Sequence, residues 1–156
     1  MEMMGNQLDF ERDIFKESLS NFYCGIREID LLIHKKEGGL ISFISDHETE
    51  CYTVFYGDEA VAVFVFSDGI LETDEGAYDS KEIDFIAVKH EYRDKGIGKR
   101  IIKVIEENCR NNGIAFLTVG AFINKRYSAE GFYHKCGFET TDKQQGNIIP
   151  MMKEIV

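Results

Sequence analysis

Residues 83–98 read IDFIAVKHEYRDKGIG: an alternating apolar run, a charged stretch, and two glycines one residue apart where a helical pattern begins. Such an order confines the chain to a strand that turns tightly into a helix. The start of a helix carries amides without intrahelical acceptors and the positive end of the peptide dipoles, so the turn suits an anion, most naturally a phosphate. A P-loop needs glycine at position 93 and Ser or Thr at position 100 beside Gly98 and Lys99, where this chain has Arg93 and Arg100. A dinucleotide fingerprint needs a small residue at position 101, which is Ile101. What remains is Arg93-x-x-Gly96-x-Gly98, and its structural alternative is a glycine-eased helix entry without a ligand.

The segments around this turn have readable periods. Ile97, Ile101, Ile105 and Cys109 recur every fourth residue, with Ile102 and Val104 widening the stripe and Gly113 as a stop, so the spacing predicts a helix over 98–112. Residues 114–122, IAFLTVGAF, follow as a buried strand, and this β-turn-α-β order needs a crossover between parallel strands. Upstream, CYTVFYGDEAVAVFVF predicts a hairpin around Gly57 and Asp58, and 68–80 reads as an acidic connection that either solvates a loop or selects an amine. Helices are expected near 26–36, closed by Gly38 and Gly39, and over 40–46. Residues 7–19 fit either a helix through Phe10, Ile14, Phe15 and Leu19 or a short strand before one. Downstream, Ala129, Phe132, Tyr133 and Cys136 line a short helix capped by Gly137, and 148–156 is a last strand whose Pro150 points to an edge or bulge.

Charge divides unevenly. Residues 1–82 carry 6 Lys+Arg against 19 Asp+Glu, a net of −13, and residues 83–156 carry 12 against 9, a net of +3, together the overall −10. This acidity disfavours nucleic acid as a partner and serves either solubility or attraction of a cationic substrate. Cys24, Cys51, Cys109 and Cys136 form no CxxC pair, and His34, His47, His90 and His134 are scattered, so free thiols and no metal are expected. The N-terminus MEMMGNQLDFERD lacks the basic-then-apolar order of a signal peptide, and no apolar run is long enough for a bilayer; a single cytoplasmic domain over 1–156 is expected, without membrane association.

Two blocks in this order, the strand with Arg93-Asp94-Lys95-Gly96-Ile97-Gly98 and the later Ala129-x-x-Phe132-Tyr133-x-Lys135-x-Gly137-Phe138-Glu139, resemble the GNAT superfamily, the Gcn5-related N-acetyltransferases. The resemblance runs from the hairpin to the C-terminal strand. It implies an α/β fold of the α+β kind: a mixed central sheet of about six to seven strands, splayed at the strand before the glycine turn, with about four flanking helices. It also implies acetyl-CoA, or another acyl-CoA, as cosubstrate, with acyl transfer to a primary amine of a small molecule or protein. The pyrophosphate is then expected on Arg93, Asp94, Lys95, Gly96, Ile97, Gly98 and Lys99, and the pantetheine along the backbone of Ile86, Ala87 and Val88. The amide of Val88 is expected as oxyanion donor and Tyr133 as the acid that protonates the departing thiolate.

The general base is less defined. Asp84 is the candidate, acting directly or through water; Glu82 shares its face of the strand by alternation, and both also read as surface charges. Many relatives carry Asn seven residues before the tyrosine, where this chain has Arg126; Asn124, two residues earlier, is the expected cofactor contact in its place. Phe22-x-Cys24-Gly25-x-x-x-Ile29-Asp30-x-x-Ile33 looks like the N-terminal signature of a GNAT branch that includes toxins acetylating aminoacyl-tRNA, an alternative acceptor that the acidic N-terminal half disfavours. A non-catalytic acyl-CoA-binding module is the other alternative. Edge strands in such folds often pair, so a homodimer is the expected assembly if one forms.

Overall fold

The computed structural model describes residues 7–13, 18–35, 37–125 and 127–155. In chain order these form β1 (Leu8–Arg12), a 3-10 turn (Ser18–Asn21), α1 (Arg27–His34), α2 (Leu40–Asp46), β2 (Glu50–Tyr56), β3 (Glu59–Thr73) and β4 (Gly76–Val88). A second 3-10 turn (His90–Tyr92) leads to α3 (Ile97–Asn111), β5 (Phe116–Phe122), α4 (Glu130–Lys135), β6 (Glu139–Thr140) and β7 (Ile148–Glu154). The strands hydrogen-bond in the order β1-β2-β3-β4-β5-β7-β6 as one mixed sheet of seven. Of the two N-terminal alternatives, a strand occupies 8–12; the expected helical positions Ile14 and Phe15 lie outside the described residues. No described helix is long and apolar enough to cross a membrane.

By its internal contacts the chain divides into two compact units, residues up to Ser67 with Phe85–Ile101, and Asp68–Asp84 with Ile102–Val156. In the first unit β2 pairs antiparallel with both β1 and β3, and Tyr56 opposite Glu59 closes the expected two-residue turn. Gly57 there adopts φ +62°, a conformation that glycine enters without a Cβ penalty. Tyr52 stacks on Phe64 at 5.0 Å and on Phe66 at 5.9 Å, giving this part of the sheet an aromatic centre. Ile29 and Ile33 of α1 and Ile44 of α2 are buried, as their helical spacing predicts.

The turn before α1 explains the spacing of Cys24, Gly25 and Asp30. The Asp30 carboxylate accepts the amides of Cys24 at 2.8 Å and Gly25 at 3.1 Å, while Gly25 takes φ +87°. Further along α1, His34 bonds the carbonyl of Phe22 at 2.7 Å and stacks on Tyr23. Two polar side chains of α1 thus fix the segment 22–25 that runs ahead of it.

In the second unit a parallel ladder pairs Ser80–Ile83 of β4 with Phe116–Val119 of β5, the expected crossover geometry, and β4 continues beyond it to Val88. β7 lies antiparallel between β5 and β6, so Pro150 is not on an edge strand; it stands opposite Gly120, and its carbonyl accepts the Thr141 amide at 2.9 Å. The acidic segment 68–80 is also not a loop. It is the paired end of β3 and β4, turned at Asp74 and Glu75, with the Thr73 hydroxyl donating to the Gly76 carbonyl and accepting the Glu75 amide. Asp68, Glu72, Asp74, Glu75 and Asp79 interrupt the alternation and leave the hairpin little apolar period, which is why it reads as a connection. At its base Lys81, almost fully buried, pairs its ammonium with Asp68.

Removing the Asp30 carboxylate tests the N-terminal arrangement. Asp30→Ala is expected to lower unfolding stability by about 1–2 kcal/mol, as for amides losing a charged acceptor. Urea titration measures this, and an unchanged midpoint would show that the 22–25 segment is held by packing alone.

Candidate active site

In the first unit the end of β4 runs into the turn that the sequence singles out. Ala87 is buried, whereas Ile86 and Val88 are half-buried. The Lys89 amide donates to the Val61 carbonyl at 2.8 Å and the His90 amide to the Cys24 carbonyl at 2.7 Å. These bonds tie the strand end to β3 on one side and to the segment held by Asp30 on the other. Glu59, at the start of β3, accepts from the Tyr92 hydroxyl at 2.7 Å and from the Lys89 ammonium at 3.3 Å. Its carboxyl is held below the ordinary range, first by the Tyr92 bond and then by Lys89.

Asp94 then takes φ +62°, alone among the described non-glycine residues in that region, and Gly96 takes φ +84°. Asp is one of the few residues that enter it with little penalty. Left-handed residues alternating with ordinary ones form a backbone nest, in which successive amides converge on an anion. The first bond of the following helix runs from the Arg100 amide to the Gly96 carbonyl at 3.1 Å, so the amides before it have no acceptor four residues back within α3. Gly98 lies inside α3 with ordinary helical backbone, so positive φ is demanded only at 94 and 96.

Side chains around the turn differ in role. Asp94, Lys95 and Lys99 are exposed, Arg93 is half-buried, and Ile97 is buried as the first residue of the α3 stripe. Arg100, which the sequence marks only as the residue that breaks a P-loop, has its Nε buried without a hydrogen-bond partner among the described residues. A positive group in that state beside an anion-suited turn has no signature in the pattern, because a helix-surface arginine is common. The same unit contains a cavity of ≈ 330 Å³ lined by residues including Phe22, Tyr23, Thr53, Phe55 and Lys89.

In the second unit, Asp84 is half-buried on β4 and Glu82 is exposed. Asn124 closes a turn: its side-chain oxygen accepts the Tyr127 amide at 2.8 Å and its own amide donates to the Tyr127 carbonyl at 2.7 Å. This turn-closing task is not evident from its position in the motif. Arg126 lies outside the described residues. Tyr133 is 6% exposed, with its ring edge-on to Phe132 at 5.1 Å and Phe138 at 5.3 Å. Burial, reinforced by Tyr127 and Cys136, raises its phenol well above the ordinary 10.0, so it holds its proton throughout the physiological range.

All four cysteines are free, as expected. Burial pushes the thiols of Cys24 and Cys109 up to about 11, so neither supplies at neutral pH the thiolate that an acyl-cysteine route would need. Among the described residues no group of three or more His, Cys, Asp or Glu side chains is arranged to hold a metal ion.

Residues 32–153 match the acetyltransferase (GNAT) domain, and the chain belongs to that family. A curated relative, the uncharacterized N-acetyltransferase YvbK of Bacillus subtilis strain 168, is 34% identical over 89 residues. That match takes in 57% of this chain, which spans about half of the relative's length (52%). Among solved structures, a point mutant of the AtaT toxin bound to the C-terminus of the antitoxin AtaR and acetyl-CoA superposes with a TM-score of 0.70 at 16% identity, covering 96% of this chain and 94% of that one. A KacTA–DNA complex gives 0.68 at 19% identity over 96% and 94%. AtaT complexed with acetyl-methionyl-tRNAfMet gives 0.63 at 16% identity over 92% and 93%. At these identities the likeness establishes the fold.

The state of Tyr133 has a thermodynamic consequence. A phenol whose folded pKa lies above its unfolded value contributes stability that is complete below about pH 10 and is lost as pH rises beyond it, because the unfolded chain releases the proton first. Melting temperatures of wild type and Tyr133→Phe should therefore keep a constant difference up to pH 9 and converge or cross above pH 10 in favour of the phenylalanine protein. Parallel curves through pH 11 would place the phenol in water.

Proposed function

We propose that this chain is an N-acetyltransferase that moves the acetyl group of acetyl-CoA to a primary amine of a small molecule or protein. The observation that carries the reading is the turn at 93–98, where Asp94 and Gly96 at positive φ lead directly into α3. Family membership supports the pyrophosphate of CoA as the fitting anion. The amides of the turn hold it, with Arg93, Lys95, Lys99 and the half-buried Arg100 adding charge. The pantetheine extends the sheet along Ile86, Ala87 and Val88, accepting the backbone bonds that a further strand would make.

In the reaction the neutral amine attacks the thioester carbonyl, and the electron pair of the C=O bond moves to oxygen, where the Val88 amide stabilises it. One such donor is worth on the order of 3 kcal/mol of barrier. When the oxygen pair returns, the C–S bond breaks. Tyr133 gives its proton to the thiolate, leaving CoA thiol and the amide; the amine's surplus proton leaves through Asp84 or water to solvent, and the tyrosinate, disfavoured by its burial, takes a proton back from solvent to restore the acid. Phenol suits this task because it is fully protonated before transfer. The cavity beside Phe22 and Tyr23 is the region that receives the acceptor, which approaches an acidic N-terminal half attractive to ammonium groups.

A second reading, with aminoacyl-tRNA as acceptor, is favoured by the likeness to AtaT complexed with acetyl-methionyl-tRNAfMet. The charge of −13 on residues 1–82 opposes it, because nucleic-acid binding depends on neutralised phosphates. A homodimer and a cytoplasmic location remain part of the proposal.

Thiol release from acetyl-CoA across a panel of amines, run beside charged tRNA at low salt, separates these readings. Turnover is expected with amines and not with tRNA; binding of acetyl-CoA without thiol release from any acceptor would leave a binding module instead. Gly96→Val should raise the KM for acetyl-CoA strongly, since a β-branched residue resists φ near +84°. Tyr133→Phe should leave that KM in place and lower kcat by about 10²-fold or more.

A further inference from the structure

Two charged residues of the second unit stand where the surrounding pattern calls for apolar ones. On β7, Lys153 shares a face with Ile149, Met151 and Ile155, all buried. On α3, Glu106 belongs to the stripe of Ile102, Ile105 and Cys109 and is itself 8% exposed. Their side chains meet, with Lys153 Nζ 2.8 Å from Glu106 Oε1. The same ammonium donates to the Cys136 carbonyl at 2.7 Å. Cys136 is the C-cap of α4, the helix that carries Tyr133 three residues earlier.

The lysine stem also passes over the end of that helix. Gly137 takes φ +94°, and a Cβ there would lie 3.2 Å from Lys153 Cε. The left-handed cap calls for glycine at 137, and a Cβ there would press on the stem. The Tyr133 carbonyl meanwhile accepts the amides of Cys136 at 3.1 Å and Phe138 at 3.0 Å, so a shift of the cap moves Tyr133 with it.

The Glu106 side chain is 10% exposed and that of Lys153 26%, and an ion pair drawn this far out of water is a poor way to gain stability, because desolvation offsets most of the attraction and an apolar pair of similar volume is often as stable. A short bifurcated contact between two elements and a helix cap is instead a good way to fix geometry. We infer that Glu106 and Lys153 are positioning residues for the transfer reaction: Glu106 pins the Lys153 ammonium, which tethers the end of α4 and sets where the Tyr133 hydroxyl stands. This rests on the reading of Tyr133 as the acid.

The test replaces both charges, Glu106→Leu with Lys153→Met, so that no unpaired charge is buried, and compares the result with Glu106→Gln, which keeps the shape and an acceptor. Two readouts are taken on folded protein matched in melting temperature. Tyrosinate absorbance, as the difference between each protein and its Tyr133→Phe counterpart, should show Tyr133 ionising at lower pH in the paired variant and by a smaller shift in Glu106→Gln. Thiol release from acetyl-CoA with hydroxylamine as the amine should fall by about tenfold or more, as expected for a misplaced catalytic group, with the KM for acetyl-CoA within about twofold. In a Tyr133→Phe background the paired substitution should cost no further rate. An unchanged Tyr133 titration in both folded variants, or a rate loss that persists in that background, overturns the inference. If Tyr133→Phe alone leaves the rate intact while the titration still shifts, the tether stands and the acid assignment falls.

Discussion

Burial of one stripe of α3, formed by Ile97, Ile101, Ile102, Ile105 and Cys109, leaves that helix little freedom to rotate or slide, since a small movement would expose a branched side chain or open a void. The first buried residue of the stripe is also the first residue of the helix. Apolar packing therefore decides where the unpaired amides of the helix start must stand. The turn from Arg93 to Gly96 has to bridge whatever gap remains after β4 ends, and it does so with left-handed residues at 94 and 96. Backbone conformations of that kind persist only when the structure on either side over-determines them.

Charged side chains perform a consistent task in this protein. Asp30 holds the amides of Cys24 and Gly25, Glu59 joins Lys89 to Tyr92, and Lys153 links Glu106 to the end of α4. Each fixes a short irregular segment that could not fix itself, because such segments bury too little apolar surface to fold in isolation. The three junctions lie before α1, before the glycine turn and after α4. Glu59 is exposed to solvent, so its contribution is orientation rather than stability.

The acidity of the first 82 residues has a structural form that its distribution alone does not reveal. Five of the 19 carboxylates lie on the β3–β4 hairpin, with Asp68, Glu72 and Asp79 exposed along the paired strands and Asp74 and Glu75 at their turn. A paired hairpin presents its carboxylates at fixed spacing, which a solvated loop would not. The resulting field acts on approaching cations over distances comparable with the Debye length. One fold hosts many functions, so the acceptor is a matter of surface rather than of architecture.

The sequence determined the features whose signal is local and repeated. Helical spacing marked α1, α2 and α3, alternation and the Gly57-Asp58 turn marked the β2–β3 hairpin, and the paired glycine block and Phe-Tyr block identified the family. Backbone sites were legible too, because a need for positive φ leaves glycine at 96 and 137. Only tertiary structure decided the rest, wherever a residue's role depends on a partner far along the chain. The hairpin at 68–80 is held by pairing rather than by apolar pattern, and β7 is interior despite Pro150 because a two-residue strand lies against it. Lys153 with Glu106 breaks two apolar patterns at positions that make sense only once α3, α4 and β7 are brought together. Periodicity records which face of an element is buried, but not which atoms of another element it meets there, and the charged junctions of this protein are of that second kind.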